Sequence, residues 1–145
     1  MRSTALTVVL LCTVALAPAA RAEDERFQII ISEKNPVSSL AVTDVQLMFL
    51  KSIPLWPKGM KVRPVDLPVG STVRQAFSRK VMGKDASAVC AYWDHQVFTG
   101  DSVPPTVLPD DKAVVAFVAE NPGAIGYVSV SANLQGPVKA IRLNE

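Results

Sequence analysis

The feature of the sequence that most constrains the fold is the stretch RFQIIIS at residues 26–32, which places three isoleucines in succession. Isoleucine is β-branched, and an apolar run without alternation is typical of a strand that is covered on both faces. Further strand-like runs occur at residues 61–67, 124–130 and 138–144, with helical apolar spacing between them. Strands separated by helices predict an α/β domain with a mixed or parallel sheet flanked by helices.

The first 22 residues predict a signal peptide rather than part of the fold. Arg2 is followed by an apolar run at residues 5–17, and residues 20–22 form an A-x-A cleavage motif. The run is shorter than the roughly 20 residues that span a bilayer. We therefore expect residues 23–145 to be one exported domain.

Removal of this segment changes the charge and the cysteine content. The remaining chain has 13 basic and 13 acidic side chains, and Cys90 is its one cysteine. An intrachain disulfide is therefore excluded, and Cys90 is interpreted as a small core residue. Because the basic residues are scattered and the charge is balanced, nucleic acid is not an expected partner.

Four helices are predicted from apolar spacing and capping residues. Thr43 and Gln46 have the spacing of a capping box for a helix that carries Val45, Met48 and Phe49 inward. The other helices are predicted at residues 72–82 with Ser71 as N-cap and Gly83 as terminator, at 85–98 with Ala86, Val89, Cys90, Trp93 and Val97 on the core face, and at 112–120 with Asp110 or Asp111 as N-cap.

The stretch VDLPVGSTVRQAF at residues 65–77 carries the candidate ligand site. It lies where a strand passes into a helix, which is where ligands bind in open α/β sheets. A helix N-terminus offers unpaired amides and a partial positive charge, and glycine lets an anion approach them. The predicted ligand-binding residues are Gly70, Ser71, Thr72, Val73 and Arg74. The alternative is that Ser71 is only a helix cap and Arg74 is a solvated surface residue.

Enzymatic chemistry has little support in the sequence. His95 is the one histidine, so a histidine-rich metal cluster is excluded, and no cofactor is expected. Cys90 and His95 are five positions apart on a predicted helix, which points them in different directions and makes them a poor nucleophile–base pair. We expect that the protein is not an enzyme.

Several motifs together resemble those of phosphate ABC-transporter substrate-binding proteins, which have a periplasmic-binding-protein-like domain. The segments are residues 32–77 and 114–131, and they include the complete signature N-P-G-A-I-G-Y-V at 121–128. Residues 45–56, which end in Trp56, match the family's D-I-F-x-G-x-x-x-x-W helix and turn. The resemblance implies a type II binding-protein fold, a periplasmic location, phosphate or a similar oxyanion as ligand, and a membrane transporter as partner.

The chain departs from this family in two respects. It is about half the length of a two-lobed member, so the resemblance implies a single lobe. Asp66 also stands where the family has an arginine, with Leu67 and Pro68 in place of polar residues, and a carboxylate near phosphate is repulsive.

Two hypotheses about function follow. The lobe binds a small oxyanion, or it is a degenerate binding-protein lobe that acts as an interaction or sensory accessory module, docked on another periplasmic protein or on a second copy of itself.

Overall fold

The computed structural model describes residues 26–145, so the predicted signal peptide lies outside the described residues. The described chain forms a six-stranded sheet and four helices. The strands are β1 (Phe27–Ser32), β2 (Ser39–Ala41), β3 (Arg63–Asp66), β4 (Thr106–Val107), β5 (Ala124–Ser129) and β6 (Val138–Asn144). The helices are α1 (Val42–Phe49), α2 (Thr72–Phe77), α3 (Ala86–Thr99) and α4 (Asp111–Glu120), and α2 continues into a π-helical turn over Ser78–Met82.

The sheet is mixed, with strand order β2-β6-β1-β5-β3-β4. The isoleucine-rich strand β1 lies inside the sheet and is antiparallel to both neighbours, β5 and β6. Strand β3 is parallel to β5 and to the short edge strand β4, and the short edge strand β2 is parallel to β6. The predicted α/β class with a mixed sheet flanked by helices is confirmed, while the two edge strands were not predicted from the sequence.

The three isoleucines of β1 are buried because both faces of the sheet are covered. Ile30 pairs with Gly126 of β5, and that face packs against α4 through Val114. On the opposite face Ile29 pairs with Tyr127, whose ring stacks on Phe77 with centroids 3.9 Å apart. Phe27 and Phe49 complete this aromatic cluster. The prediction of a strand covered on both faces is therefore confirmed.

The predicted helix boundaries are confirmed at some ends and wrong at others. Ser71 caps α2 and Asp110 caps α4, each by accepting a hydrogen bond from the backbone N–H three residues later. The capping box on α1 is wrong, because the helix begins at Val42 after Ala41, which makes no side-chain cap. Val97 of α3 is also wrong as a core residue, since it is half exposed and only the first part of α3 packs inward.

Lys51, two residues after the last residue of α1, lies in the left-handed backbone region, at φ 60°. The N–H of Lys51 donates to Met48 O at 3.1 Å, and the N–H of Ser52 donates to Leu47 O at 2.8 Å. Glycine is the usual residue at this C-terminal position, since a side chain there costs about 1 kcal/mol. Lys51 therefore has a backbone conformation that its side chain does not favour.

Two parts of the sequence that carry the family resemblance are in contact in the fold. The indole N–H of Trp56 donates to Gly123 O at 2.9 Å. A Cβ on Gly123 would lie 2.2 Å from Lys61 O, so the backbone of the NPGAIGYV segment can approach this loop only with glycine.

Among residues 26–145, none of the helices combines the length and apolar character needed to cross a bilayer.

Gly126 generates a stability prediction, because α4 packs directly on its Cα. A Cβ at this position would lie 2.7 Å from Val114 Cγ1 and 3.0 Å from Val65 Cγ2. We expect Gly126→Ala to lower the free energy of unfolding by about 1–3 kcal/mol, as overpacking of a filled core does. Denaturant unfolding measures the change. Gly70→Ala is the matched control, since a Cβ there has no atom within 4 Å. Equal stabilities of the two variants would contradict this packing.

Candidate anion site at the start of helix α2

The candidate site is built by the turn between the C-terminal end of β3 and the start of α2. The N–H of Ser71 donates to Pro68 O at 2.9 Å, which closes the turn. Ser71 itself has an extended backbone, at φ −68° and ψ 130°, and its Oγ accepts from the N–H of Arg74 at 3.3 Å. These bonds fix Thr72 as the first helical residue, as the sequence predicts.

The five predicted ligand-binding residues divide into a surface group and a buried group. Gly70 and Thr72 are exposed, and Ser71 is partly exposed. The side chain of Val73 belongs to the core, so only its backbone can reach a ligand at the surface. Arg74 is also buried, with 5% of its surface exposed.

The first helical turn of α2 presents two unused hydrogen-bond donors. The amides of Arg74 and Gln75 are bonded to Ser71 Oγ and Ser71 O. The amides of Thr72 and Val73 have no acceptor within the part of the chain that the structure describes. Unpaired amides at this end of a helix carry partial positive charge. The turn can therefore donate two backbone hydrogen bonds to an acceptor that approaches from solvent.

Arg74 forms a buried ion pair with Asp66 instead of facing the surface. One terminal nitrogen, Nη2, lies 3.0 Å from Asp66 Oδ2, and Nη1 donates to Leu67 O at 2.7 Å. Nη2 also lies 3.5 Å from Cys90 Sγ, and Nε is buried without a partner in the described chain. The interpretation of Arg74 as a solvated residue is therefore wrong, and its guanidinium is already occupied by acceptors of the protein.

Asp66 points inward as well, and its carboxylate is held by three donors. The hydroxyl of Tyr127 donates to Oδ1, the N–H of Leu67 donates to the same atom at 2.9 Å, and Arg74 pairs with Oδ2. Burial raises the pKa of Asp66, and the three donors act against that rise. Burial and the adjacent Asp66 carboxylate raise the pKa of Tyr127, which stays protonated as the donor. Sequence reasoning did not identify Tyr127 as part of this network.

A surface cavity of about 500 Å³ adjoins the start of α2 and also borders the start of α4. Asp110 and Asp111 line it, and both carboxylates have partners within the protein. Asp110 caps α4, and Asp111 accepts from the N–H and hydroxyl of Ser129 at 3.1 and 2.6 Å. Lys112 is the one cation among the lining residues. The cavity is therefore of mixed charge, and Ser71 is the predicted ligand-binding residue that lines it.

Residues suited to metal or nucleophilic chemistry do not assemble at this site. Within residues 26–145, no group of three or more metal-ligating side chains lies close enough to hold a metal ion. His95 is exposed on α3, and Cys90 is partly buried beside Arg74 rather than fully in the core. The arrangement can donate hydrogen bonds to a ligand.

The fold is similar to that of solved binding proteins. A protein from Clostridium perfringens described as a phosphate ABC transporter substrate-binding protein, with phosphate bound, has a TM-score of 0.64 and 22% identity. An ABC-type phosphate transport receptor from Vibrio cholerae has a TM-score of 0.60 and 22% identity. A possible phosphate binding protein from Planctomyces limnophilus has a TM-score of 0.62 and 15% identity. The matches cover 81%, 81% and 82% of this chain.

The chain therefore shares the fold of these solved binding proteins over the part of them that it covers. It spans 44%, 45% and 41% of the length of these three neighbours. No protein-family model matches the sequence, and neither does any curated protein. These three neighbours are described as binding or receptor proteins.

The buried pair generates a second stability prediction. Arg74→Met leaves the Asp66 carboxylate buried without its cation, and we expect a loss of about 3–5 kcal/mol in the free energy of unfolding at pH 7. Because burial already raises the pKa of Asp66, the variant should recover part of this loss as the pH falls and the carboxyl takes up a proton. Urea denaturation between pH 7 and pH 3 measures both effects.

The matched control is the double variant Asp66→Asn with Arg74→Met. It removes both charges and keeps an oxygen that accepts from Tyr127 and Leu67, so most of the stability should return. Neutralising the exposed pair Lys80 and Glu145 should leave the melting temperature unchanged. A single variant Arg74→Met as stable as the wild type would contradict the inferred role of the pair.

Proposed function

We propose that the protein is an exported, periplasmic single-lobe binding protein that holds phosphate or a similar small oxyanion at residues 70–73. The observation that carries the proposal is the pair of unused amides on Thr72 and Val73, at an exposed turn of a fold that phosphate-binding proteins share. The predicted signal peptide at residues 1–22 supports export, and the description of the neighbours as transport components supports a membrane transporter as partner.

Each predicted residue has a definite part in this proposal. The amides of Thr72 and Val73 donate to two oxygens of the anion. The hydroxyls of Ser71 and Thr72 add donors, since Ser71 Oγ uses only its acceptor capacity in capping the helix. Gly70 has no atom within 4 Å of a Cβ position, so the anion can approach the backbone. Arg74 holds the turn in place from inside and makes no contact with the anion.

The expected affinity is low because a single lobe encloses one side of a ligand. A fully built pocket buries most of its ligand's surface, whereas this turn is open to solvent. Asp110 and Asp111 also place negative charge at the cavity, while the charge of Asp66 is neutralised by Arg74. We expect a dissociation constant near 1 mM, which corresponds to about −4 kcal/mol.

A proline substitution at the first helical position tests the amide contact. Thr72→Pro removes one donor N–H, and the fold should tolerate it, because proline is favoured at this position and Ser71 already has the extended backbone that proline requires. Thr72→Ala is the matched control, which loses the hydroxyl and keeps the amide. Titration with inorganic phosphate, followed by backbone amide shifts in NMR, should give binding in the wild type, weaker binding in Thr72→Ala and a loss of about tenfold or more in Thr72→Pro.

Thermal melts give an independent measure of the same proposal. Phosphate at 100 times its dissociation constant should stabilise the protein by about 2.7 kcal/mol. Unchanged melting temperatures in phosphate, sulfate and related oxyanions would refute anion binding by this lobe. Equal phosphate affinity of Thr72→Pro and wild type would refute the assignment of the site to α2.

The second candidate function is an interaction or sensory accessory module without a small ligand. The internal pairing of Arg74 favours it, since the one cation of the predicted site is withheld from the surface. Phe98 favours it as well, because its ring on α3 is 90% exposed. In this function the lobe docks on another periplasmic protein or on a second copy of itself.

Self-association of the mature chain tests the homodimer form of this second function. Burial of Phe98 in a dimer should give a concentration-dependent mass in light scattering, and Phe98→Ser should weaken it because the buried apolar area is lost. Val103→Ser, at another exposed apolar residue, is the control for a general loss of surface hydrophobicity. Phe27→Ser is not a suitable control, because it would disturb the core. A monomer at all concentrations would count against a homodimer.

A further inference from the structure

A second cavity lies at the other end of β3 from the candidate anion site. It has a volume of about 330 Å³ and borders Arg63 and Pro64, at the N-terminal end of the strand. The edge strand β4 pairs with β3 only at Val65 and Asp66, so it does not cover the strand here. Pro64 has no N–H to donate, which prevents further strand pairing at this point. The cavity is therefore an opening at the sheet edge that no strand closes.

Three cations border this cavity, and none of them has an anionic partner in the described part of the chain. Lys51, Lys61 and Arg63 all contribute to its lining. Among residues 26–145 none of the three makes an ion pair. Arg63 donates to the neutral oxygen of Asn121 and lies 5.4 Å over the ring of Phe117, which holds its charge at the rim.

Two effects at Lys51 oppose the placement of these charges close together in the folded state. Partial burial and repulsion from Lys61 lower the pKa of Lys51. Lys51 also has the left-handed backbone at the end of α1, where glycine would be the unstrained choice. Within residues 26–145 its Nζ donates only to the carbonyl of Pro104, at 3.4 Å. Strained backbone of this kind is concentrated at functional sites in proteins.

The remaining wall of the cavity is apolar. It consists of aliphatic, proline and aromatic side chains from α1, the following loop, β3 and α4, namely Met48, Ile53, Pro54, Val62, Pro64 and Phe117, with Thr106 as the one neutral polar side chain. An inorganic ion would leave this wall in contact with water. A ligand with an apolar group behind its anionic group would use both the wall and the rim.

We propose that this cavity, bounded by Lys51, Lys61 and Arg63, is a second anion-binding site that takes a small organic anion with an apolar body. An anionic group at the rim neutralises the three cations, which lack an anionic partner within residues 26–145, and the apolar body contacts Phe117 and Met48. The proposal is independent of phosphate binding at α2, because the two sites are at opposite ends of β3 and share no residue.

Phenyl phosphate is a suitable probe, with inorganic phosphate as the comparison that lacks the apolar body. In NMR titrations of the mature chain, phenyl phosphate should shift the amides of residues 51, 61–63 and 106, and bind there about fivefold or more tightly than inorganic phosphate. Lys51→Gly and Lys61→Gln should each weaken this binding by about fivefold to tenfold. Lys51→Gly should melt no lower than the wild type, because glycine relieves the backbone strain.

Two controls separate this site from other causes of weaker binding. Lys58→Gln removes a lysine of the same loop that does not line the cavity, so phenyl phosphate should bind it as it binds the wild type. Thr72→Pro should leave phenyl phosphate binding at residues 51–64 unchanged even if it abolishes phosphate binding at α2. The proposal is overturned if phenyl phosphate does not bind here at millimolar concentration, if Lys51→Gly and Lys61→Gln bind it with wild-type affinity, or if inorganic phosphate binds here equally well.

Discussion

The buried ion pair between Asp66 and Arg74 is the interaction on which the candidate site depends. It joins the last residue of β3 to the first turn of α2, and through Tyr127 it also reaches β5. A buried charge is tolerated only when its partners satisfy it, so the pair restricts the turn between these elements to few conformations. The amides of Thr72 and Val73 have no acceptor among residues 26–145, while Arg74, the next residue, is held in the interior by this pair.

The same ion pair gives a structural reason for the acidic residue at position 66, which the family resemblance does not explain. An acidic side chain at position 66 is unfavourable beside a bound anion if it faces the ligand. In the fold it faces Arg74 and Tyr127, so the two opposite charges compensate each other inside the protein. The turn thus presents neutral backbone donors at its surface, in contrast to a site built on an arginine. This difference favours a weaker and less selective contact with an oxyanion.

The sequence could predict the elements that local chemistry determines. Three adjacent isoleucines indicated a strand covered on both faces, and Ser71 and Gly83 marked the two ends of one helical segment. It could not predict β2 and β4, which are only three and two residues long and exist because a neighbouring strand pairs with them. The direction of the Arg74 side chain also depends on Asp66 and Cys90, which only the tertiary fold brings close. Capping patterns failed at Thr43 for a related reason, since α1 directly follows a strand that fixes its start.

The position of β1 has a consequence for how the chain acquires its structure. This strand comes first in the domain, yet both of its partners, β5 and β6, come last. Gln28 and Ser129, which hydrogen-bond across β1 and β5, are 101 positions apart. Pairing of such distant segments is slow, because a long loop must close before any contact compensates for its entropy. During synthesis the most apolar strand therefore stays without its partners until the C-terminal strands are complete, and a nascent chain of this kind depends on protection from aggregation for longer than one built from local hairpins.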